Sequence, residues 1–201
     1  MELDRDIALL QRAQRERELE ELRKRELEEY DWKKKIKYTL DELKEGIKSK
    51  KQYLYMLKIE FETRTILDGG LSIPCMIDFF DVVDDKPESI LLASTKRKIS
   101  MAATVIPKTE VIPLEAWAKG TKDGLEQLSL YAQIGTMNTV RSMEYFSYEV
   151  PTSEGTTYNL MFRYPRGEKM YSGAFNCMSQ EKEGMGLLLE AVVHVIEEMN
   201  R

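Results

Sequence analysis

The pattern of hydrophobic residues changes near residue 52, from helical spacing to strand alternation. Before that point the chain has no proline and is dominated by Glu, Lys, Arg, Leu and Gln, which are strong helix formers. Apolar residues recur at helical spacing most regularly from Ile36 to Ile47, and the stripe lapses between Gln11 and Glu18. The pattern predicts a charged helical N-terminal arm over residues 1–51, exposed to solvent and without a sustained heptad repeat.

A helix start signal lies inside this arm. Thr39 is followed three positions later by Glu42, which resembles a capping box, in which each side chain bonds the backbone of the other. We therefore expect the first helix to end near Lys37 and a second helix to begin here.

Beyond residue 52 the chain alternates apolar and polar residues. Tyr53 to Phe61 predicts one strand, because its aromatic and aliphatic side chains fall on one side and its charges on the other. Asp68-Gly69-Gly70 supplies a tight turn, so Leu71 to Ile73 should return as the next strand, which Pro74 ends.

The remaining chain predicts strands, a helix, a meander and a closing helix. Pro113 stands where a first helical residue belongs, and the apolar spacing after it predicts an amphipathic helix reaching Ala132. The closing helix is apolar over most of its circumference, so it must lie across a sheet. The other predicted strands are Ile90–Ala93, Lys98–Ile106, Val140–Val150, Thr157–Tyr164 and Lys169–Met178, and the closing helix is Leu187–Met199. Residues 52–201 are thus predicted to form one α+β domain, an antiparallel sheet with packed helices.

Charge and cysteine usage narrow the class of protein. Residues 1–52 hold 15 Lys and Arg against 14 Asp and Glu, whereas the remaining residues hold 15 against 21. A mixed arm and an acidic domain disfavour nucleic-acid binding, because a phosphate backbone repels net negative charge. Two distant cysteines, Cys75 and Cys177, and no apolar run long enough to span a membrane predict a soluble cytoplasmic protein.

Candidate chemistry is sparse. The sole histidine, His194, lies within the apolar closing helix and is expected to be a core or groove-edge residue. Asp78, Asp81, Asp84 and Asp85 could in principle ligate calcium, but they lack the order of an EF-hand and are better explained as a solvated acidic loop. We expect no catalytic residues, no cofactor and no metal site.

The order of elements from Tyr53 to Arg201 resembles the PsbP-like fold, shared by PsbP, the Ran-binding Mog proteins and bacterial DcrB-like domains. The resemblance rests on the extended segment Gly69–Val83, the strand Lys98–Pro107 and the helix Pro113–Leu128. It implies a binding protein rather than an enzyme. Among DcrB-like proteins, the Eag chaperones of type VI secretion hold hydrophobic segments of secreted effectors.

Methionine and aromatic residues concentrate in the predicted meander. Methionines there are expected to fill the core, but if several face outward they would form an adaptable apolar surface for a partner helix. Strand alternation lets only one subset point to the core. The candidate partner-binding residues are Tyr145, Phe146, Tyr148, Met161 and Phe162.

Three functional hypotheses follow. The first is a chaperone or adaptor that holds an apolar helical segment of a protein client, such as a secreted effector, against the sheet. The second is an assembly component whose arm is a coiled-coil connector, with a homodimer left open. The third is an enzyme of unrecognised type, which we disfavour because no acid, base, metal or nucleophile set is visible.

Overall fold

The structure is a computed structural model that describes residues 14–21, 24, 32–33, 35–108 and 110–201. The chain divides into two units, residues 1–37 and residues 38–201. In the first unit, residues 14–21 are helical and exposed, and Gln14 donates a hydrogen bond to Glu18 one turn later. Most of the other residues of the predicted helical arm lie outside the described residues, and so does most of the segment that the alternative hypothesis makes a coiled-coil connector.

The second unit begins with helix α1, Leu40–Lys48, whose capping box forms as predicted. The backbone N–H of Glu42 donates to Thr39 Oγ1 at 3.3 Å, and the Thr39 N–H donates to Glu42 Oε2 at 2.9 Å. Leu43 and Ile47 are buried in the main core. This helix was expected to belong to the arm of residues 1–51, whereas its residues Leu43 and Ile47 pack within the compact unit of residues 38–201.

A three-stranded antiparallel sheet follows, with order β1-β2-β3 and bounds Lys51–Leu54, Leu57–Ile66 and Leu71–Met76. The single strand predicted from Tyr53 to Phe61 is in fact two, because the chain turns at Tyr55, whose φ is 55°. Strand β3 also continues through Pro74, where we expected it to end. Because β3 is an edge strand, the missing proline N–H costs no ladder hydrogen bond.

The larger sheet has seven antiparallel strands in the order β4-β5-β6-β10-β9-β8-β7. Its strands are β4 Val82–Asp85, β5 Ser89–Ser94, β6 Ile99–Pro107, β7 Gln133–Val140, β8 Met143–Thr152, β9 Gly155–Arg166 and β10 Lys169–Met178. Helix α2, Leu114–Gln127, stands between β6 and β7. Helix α2 ends earlier than predicted, and the meander has four strands because β7 precedes the three that were expected.

Helix α3, Leu187–Met199, closes the chain and contacts α1, β3 and β9. Its residues Leu188, Val192 and Val195 are buried, so the predicted closing helix is confirmed as part of the core. We call the side of the seven-stranded sheet that faces α3 its inner face and the opposite side its outer face. These helices and antiparallel sheets confirm the predicted α+β class.

Candidate functional site

The five predicted partner-binding residues lie on both faces of the seven-stranded sheet. Tyr145 and Phe162 stand opposite each other on β8 and β9 and are fully buried in the main core on the inner face. Phe146, Tyr148 and Met161 point to the outer face, where Phe146 is fully buried and the other two are partly buried. Their role in binding stays a prediction, and only Tyr148 and Met161 retain accessible surface.

A polar network surrounds Tyr145 on the inner face. Its hydroxyl donates to Glu190 Oε1 at 2.6 Å and accepts from Asn138 Nδ2 at 3.1 Å. His194 Nε2 lies 2.9 Å from the same oxygen. Because the hydroxyl gives its one hydrogen to Glu190, His194 Nε2 must carry a hydrogen and donate it. His194 is thus a buried, hydrogen-bonded residue of helix α3.

Burial sets the acid–base properties of this network. Desolvation, followed by the hydrogen bond to Glu190, raises the pKa of Tyr145, which stays neutral at pH 7. Desolvation also lowers the pKa of His194, although Glu190 partly opposes that shift. Both groups are therefore neutral near pH 7, so the network works as a structural link between β8 and α3.

Helix α2 covers part of the outer face. Leu114, Ala118 and Phe146 form a small apolar cluster of their own, separate from the main core. The Trp117 ring meets Phe146 edge-on at 4.8 Å between centroids, beside Met161. Among the five predicted partner-binding residues, Phe146 is thus covered by a helix of the same chain.

Arg163 fastens this helix to the sheet. Arg163 is only 6% exposed. Nε donates to Glu144 Oε2 at 2.6 Å, and an NH group donates to the carbonyl oxygen of Ile112 just before α2. The guanidinium also lies 4.7 Å from the Trp117 ring centre. Arg163 therefore contacts both the segment before α2, through the Ile112 carbonyl, and the first turn of α2, through the Trp117 ring.

On strands β5, β6 and β10 the outer face forms an uncharged surface, bordered by Asp84 of β4, which stands opposite Leu91. We call this surface the open strip. Its residues point outward by alternation, since their neighbours Leu92, Met101 and Phe175 are buried in the core. The open strip consists of Leu91, Ala93, Ser100, Ala102, Thr104, Ile106, Ser172, Ala174, Asn176 and Met178. In a chain with 32% charged residues, a cross-strand surface without one charge is unusual.

The open strip is accessible, and most of its side chains are small. Leu91 and Ile106 are 40% and 49% exposed, and Ala102 and Thr104 between them are also exposed. Small side chains dominate its centre, where Ala102 pairs with Ala174 on one side and Leu91 on the other. Small side chains let another backbone approach the sheet closely, and the larger Leu91 and Ile106 can supply apolar contact area.

An open cavity of about 400 Å³ lies at the end of the open strip that is nearest to the β8–β9 turn. Asn176 Nδ2 donates to Ser100 Oγ at 2.8 Å within its lining, and Lys98 and Glu154 form a salt bridge of 2.7 Å. This end of the strip is therefore polar, whereas the end at Ile106 is apolar.

The aspartates between residues 78 and 85 do not share a common site, since three of them have separate partners. Asp81 accepts from Thr95, while Asp84 and Asp85 form salt bridges with Lys86 and Arg64 respectively. Over residues 14–21, 24, 32–33, 35–108 and 110–201 there is no cluster of three potential metal-ligating side chains.

Methionine placement follows the expected core role in part. Met101 and Met143 are buried in the main core, whereas Met161, Met170 and Met178 lie on the outer face, where Met170 is buried and the other two are partly buried. Sequence alternation alone shows that Ile99–Pro107 has one face of small uncharged residues. That signal is weak by itself, because exposed alanine and threonine are common in strands.

Comparison with known proteins supports the fold. No protein-family model and no curated protein matches the sequence. The solution structure of cyanobacterial PsbP, CyanoP, from Synechocystis sp. PCC 6803 matches with a TM-score of 0.54. The match covers 69% of this chain and 89% of CyanoP at 5% sequence identity. The chain therefore has a PsbP-like fold, while similarity to the Mog and DcrB-like proteins stays a prediction. No helix among the described residues is long and apolar enough to cross a membrane.

Proposed function

We propose that this chain is a non-catalytic, cytoplasmic protein-binding module of the chaperone or adaptor type, and that it holds an apolar helical segment of a client protein, such as a secreted effector, on the outer face of its large sheet. The observation that carries this proposal is the open strip. An accessible sheet surface without charge is suited to an apolar partner, because no ionised group has to be desolvated on binding.

Helix α2 provides the geometric precedent. It already packs across β8 and β9 through Leu114, Ala118 and Trp117, so the outer face accepts a helix. The open strip continues the same face over β10, β6 and β5. A client helix placed there would bury Leu91 and Ile106 and contact the small residues between them.

The two cysteines are compatible with the proposed location. Cys75 and Cys177 are both buried and unpaired. Burial raises the pKa of the Cys177 thiol to about 12, so it remains protonated and unreactive at neutral pH.

Binding of a defined helical peptide tests the proposal. The probe is a synthetic alanine- and leucine-rich helix with a lysine at each end, and its control carries proline at the centre. We expect the wild-type protein to bind the helix and not the proline peptide in a calorimetric titration. Failure to bind the helix would contradict the proposed function.

Substitutions locate the binding surface. Ala102→Lys puts a charge at the centre of the strip and should weaken binding by more than about 1 kcal/mol, the usual threshold for an important interface position. Thr65→Lys, also on an exposed strand position but in the small sheet, should leave binding unchanged. If only Tyr148→Ala and Met161→Ala weaken binding, the client takes the place of α2 and the open strip is not its site.

A further inference from the structure

The four edge strands of the two sheets differ in how far their exposed backbone is protected. Edge strands can pair with other chains, and proteins discourage this with short length, charges, proline or capping groups. Strand β1 has four residues and begins with Lys51. Strand β4 also has four, including Asp84 and Asp85, both in salt bridges.

Strand β3 is protected in another way. Pro74 has no N–H to offer another strand, and the Asn200 side chain hydrogen-bonds both backbone groups of Ser72. Asn200 Oδ1 accepts from the Ser72 N–H at 2.8 Å, and its Nδ2 donates to the Ser72 carbonyl at 2.7 Å. A side-chain amide thus replaces a neighbouring strand.

Strand β7, Gln133–Val140, is the exception. It has eight residues, none of them charged. Leu128 and Tyr131, just before it, are 71% and 73% exposed, and Met137 within it is 43% exposed. The register with β8 shifts at a bulge of residues 135–136, where the Thr136 N–H donates to Ser147 Oγ on β8. The run after the bulge keeps a regular register with β8.

We propose that β7 pairs antiparallel with β7 of a second copy of this chain and forms a two-fold dimer with a continuous sheet. A strand without charges can face its own copy without repulsion, unlike β1 or β4. The proposal does not depend on the function proposed above, because it uses the edge of the sheet and not its outer face.

The hairpin geometry selects the register. A two-residue turn joins β7 to β8, so Val140 and Met143 form the hydrogen-bonded pair next to the turn. Because bonding alternates along an antiparallel ladder, the backbone groups of Met137 and Thr139 point away from β8. A two-fold axis at Asn138 brings Met137 of each copy opposite Thr139 of the other, and both pairs can exchange backbone hydrogen bonds.

Side chains agree with this register. Within one copy, the Thr139 N–H donates to Asn138 Oδ1 at 2.8 Å. On pairing, this N–H would donate instead to the backbone carbonyl of Met137 in the second copy. The same register places the turn residue Arg141 of one copy opposite the bulge at residues 135–136 of the other, where there is no charged side chain.

Sedimentation velocity of the full chain over a range of concentrations tests the proposal. We expect a reversible monomer–dimer equilibrium. Met137→Lys places two ammonium groups diagonally across the axis and should raise the dissociation constant at least tenfold. Val83→Lys adds the same charge to the edge strand β4, where Val83 is 53% exposed, and should leave the equilibrium unchanged.

Thr139→Pro provides a second variant, because it removes an outward N–H without adding charge, and it should also favour the monomer. Circular dichroism must show wild-type secondary structure for each variant that is compared. A wild-type protein that stays monomeric, or a dimer that survives in every folded β7 variant, would overturn the proposal.

Discussion

The guanidinium of Arg163 lies 4.7 Å from the centre of the Trp117 ring and is the one buried charge described between helix α2 and the sheet. Its carboxylate partner, Glu144, sits on the neighbouring strand β8. The cation therefore joins two strands to a helix that buries only Leu114 and Ala118 of its own. We therefore expect the attachment of α2 to depend on this contact as well as on the apolar cluster around Phe146.

Arg163→Met tests that dependence. Methionine keeps the apolar stem against Trp117 but loses the charged hydrogen bonds, so the free energy of unfolding should fall by about 1 to 3 kcal/mol. Thermal unfolding followed by tryptophan fluorescence measures the change. Lys122→Ala breaks only an exposed pair with Glu126 on the same helix and should cost less than about 0.5 kcal/mol. Equal effects of the two changes would show that Arg163 is not the main attachment.

The closing helix should be intolerant of charge. Val192 is 2% exposed, so Val192→Asp buries a carboxylate without a partner and should unfold the domain or cause aggregation. Val83→Asp makes the same change at an exposed strand position and should alter stability by less than about 0.5 kcal/mol. Urea unfolding measures both, and wild-type stability of the Val192 variant would mean that α3 is peripheral.

Truncation should separate the arm from the domain at Tyr38. A chain starting there keeps α1 and should unfold in one cooperative transition. A chain starting at Lys50 loses Leu43 and Ile47, whose burial contributes about 1.5 to 3 kcal/mol each, and should be markedly less stable. Matched unfolding curves for the two truncated chains would instead favour the boundary at residue 51.

Stability should fall as pH is lowered below about 6.5, the ordinary pKa of histidine. Burial lowers the pKa of His194 in the folded chain, so the unfolded chain binds its proton more readily and acid favours unfolding. Glu190, Glu198 and Asp41 raise the pKa of His194 and partly offset the effect of burial, whereas Lys44 lowers it further.

His194→Gln removes that titration while keeping a side-chain donor for Tyr145. Its free energy of unfolding should therefore depend less on pH between about 6.5 and 5 than that of the wild type. The lowered pKa values of Glu149 and Glu198 act at more acidic pH, since those carboxylates lose their partners only when protonated. Identical pH profiles for both proteins in the upper range would contradict a role for His194.

The sequence by itself determined the local features of this protein. The Thr39–Glu42 capping box, the apolar closing helix and the alternating strands all depend on neighbours a few residues apart, and each appears in the structure. Together they suffice for the α+β class, because a wide apolar helix and alternating strands must cover one another.

Tertiary structure alone decided which surfaces are covered. Alternation divides Tyr145 from Phe146, but it does not reveal that α3 covers one and α2 the other. Pro74 fits within β3 because that strand lies at the edge of its sheet. Helix α1 belongs to the compact unit because it packs against α3, which is distant in sequence. Contacts between residues far apart in sequence set these outcomes, and no local pattern of hydrophobic and polar residues encodes them.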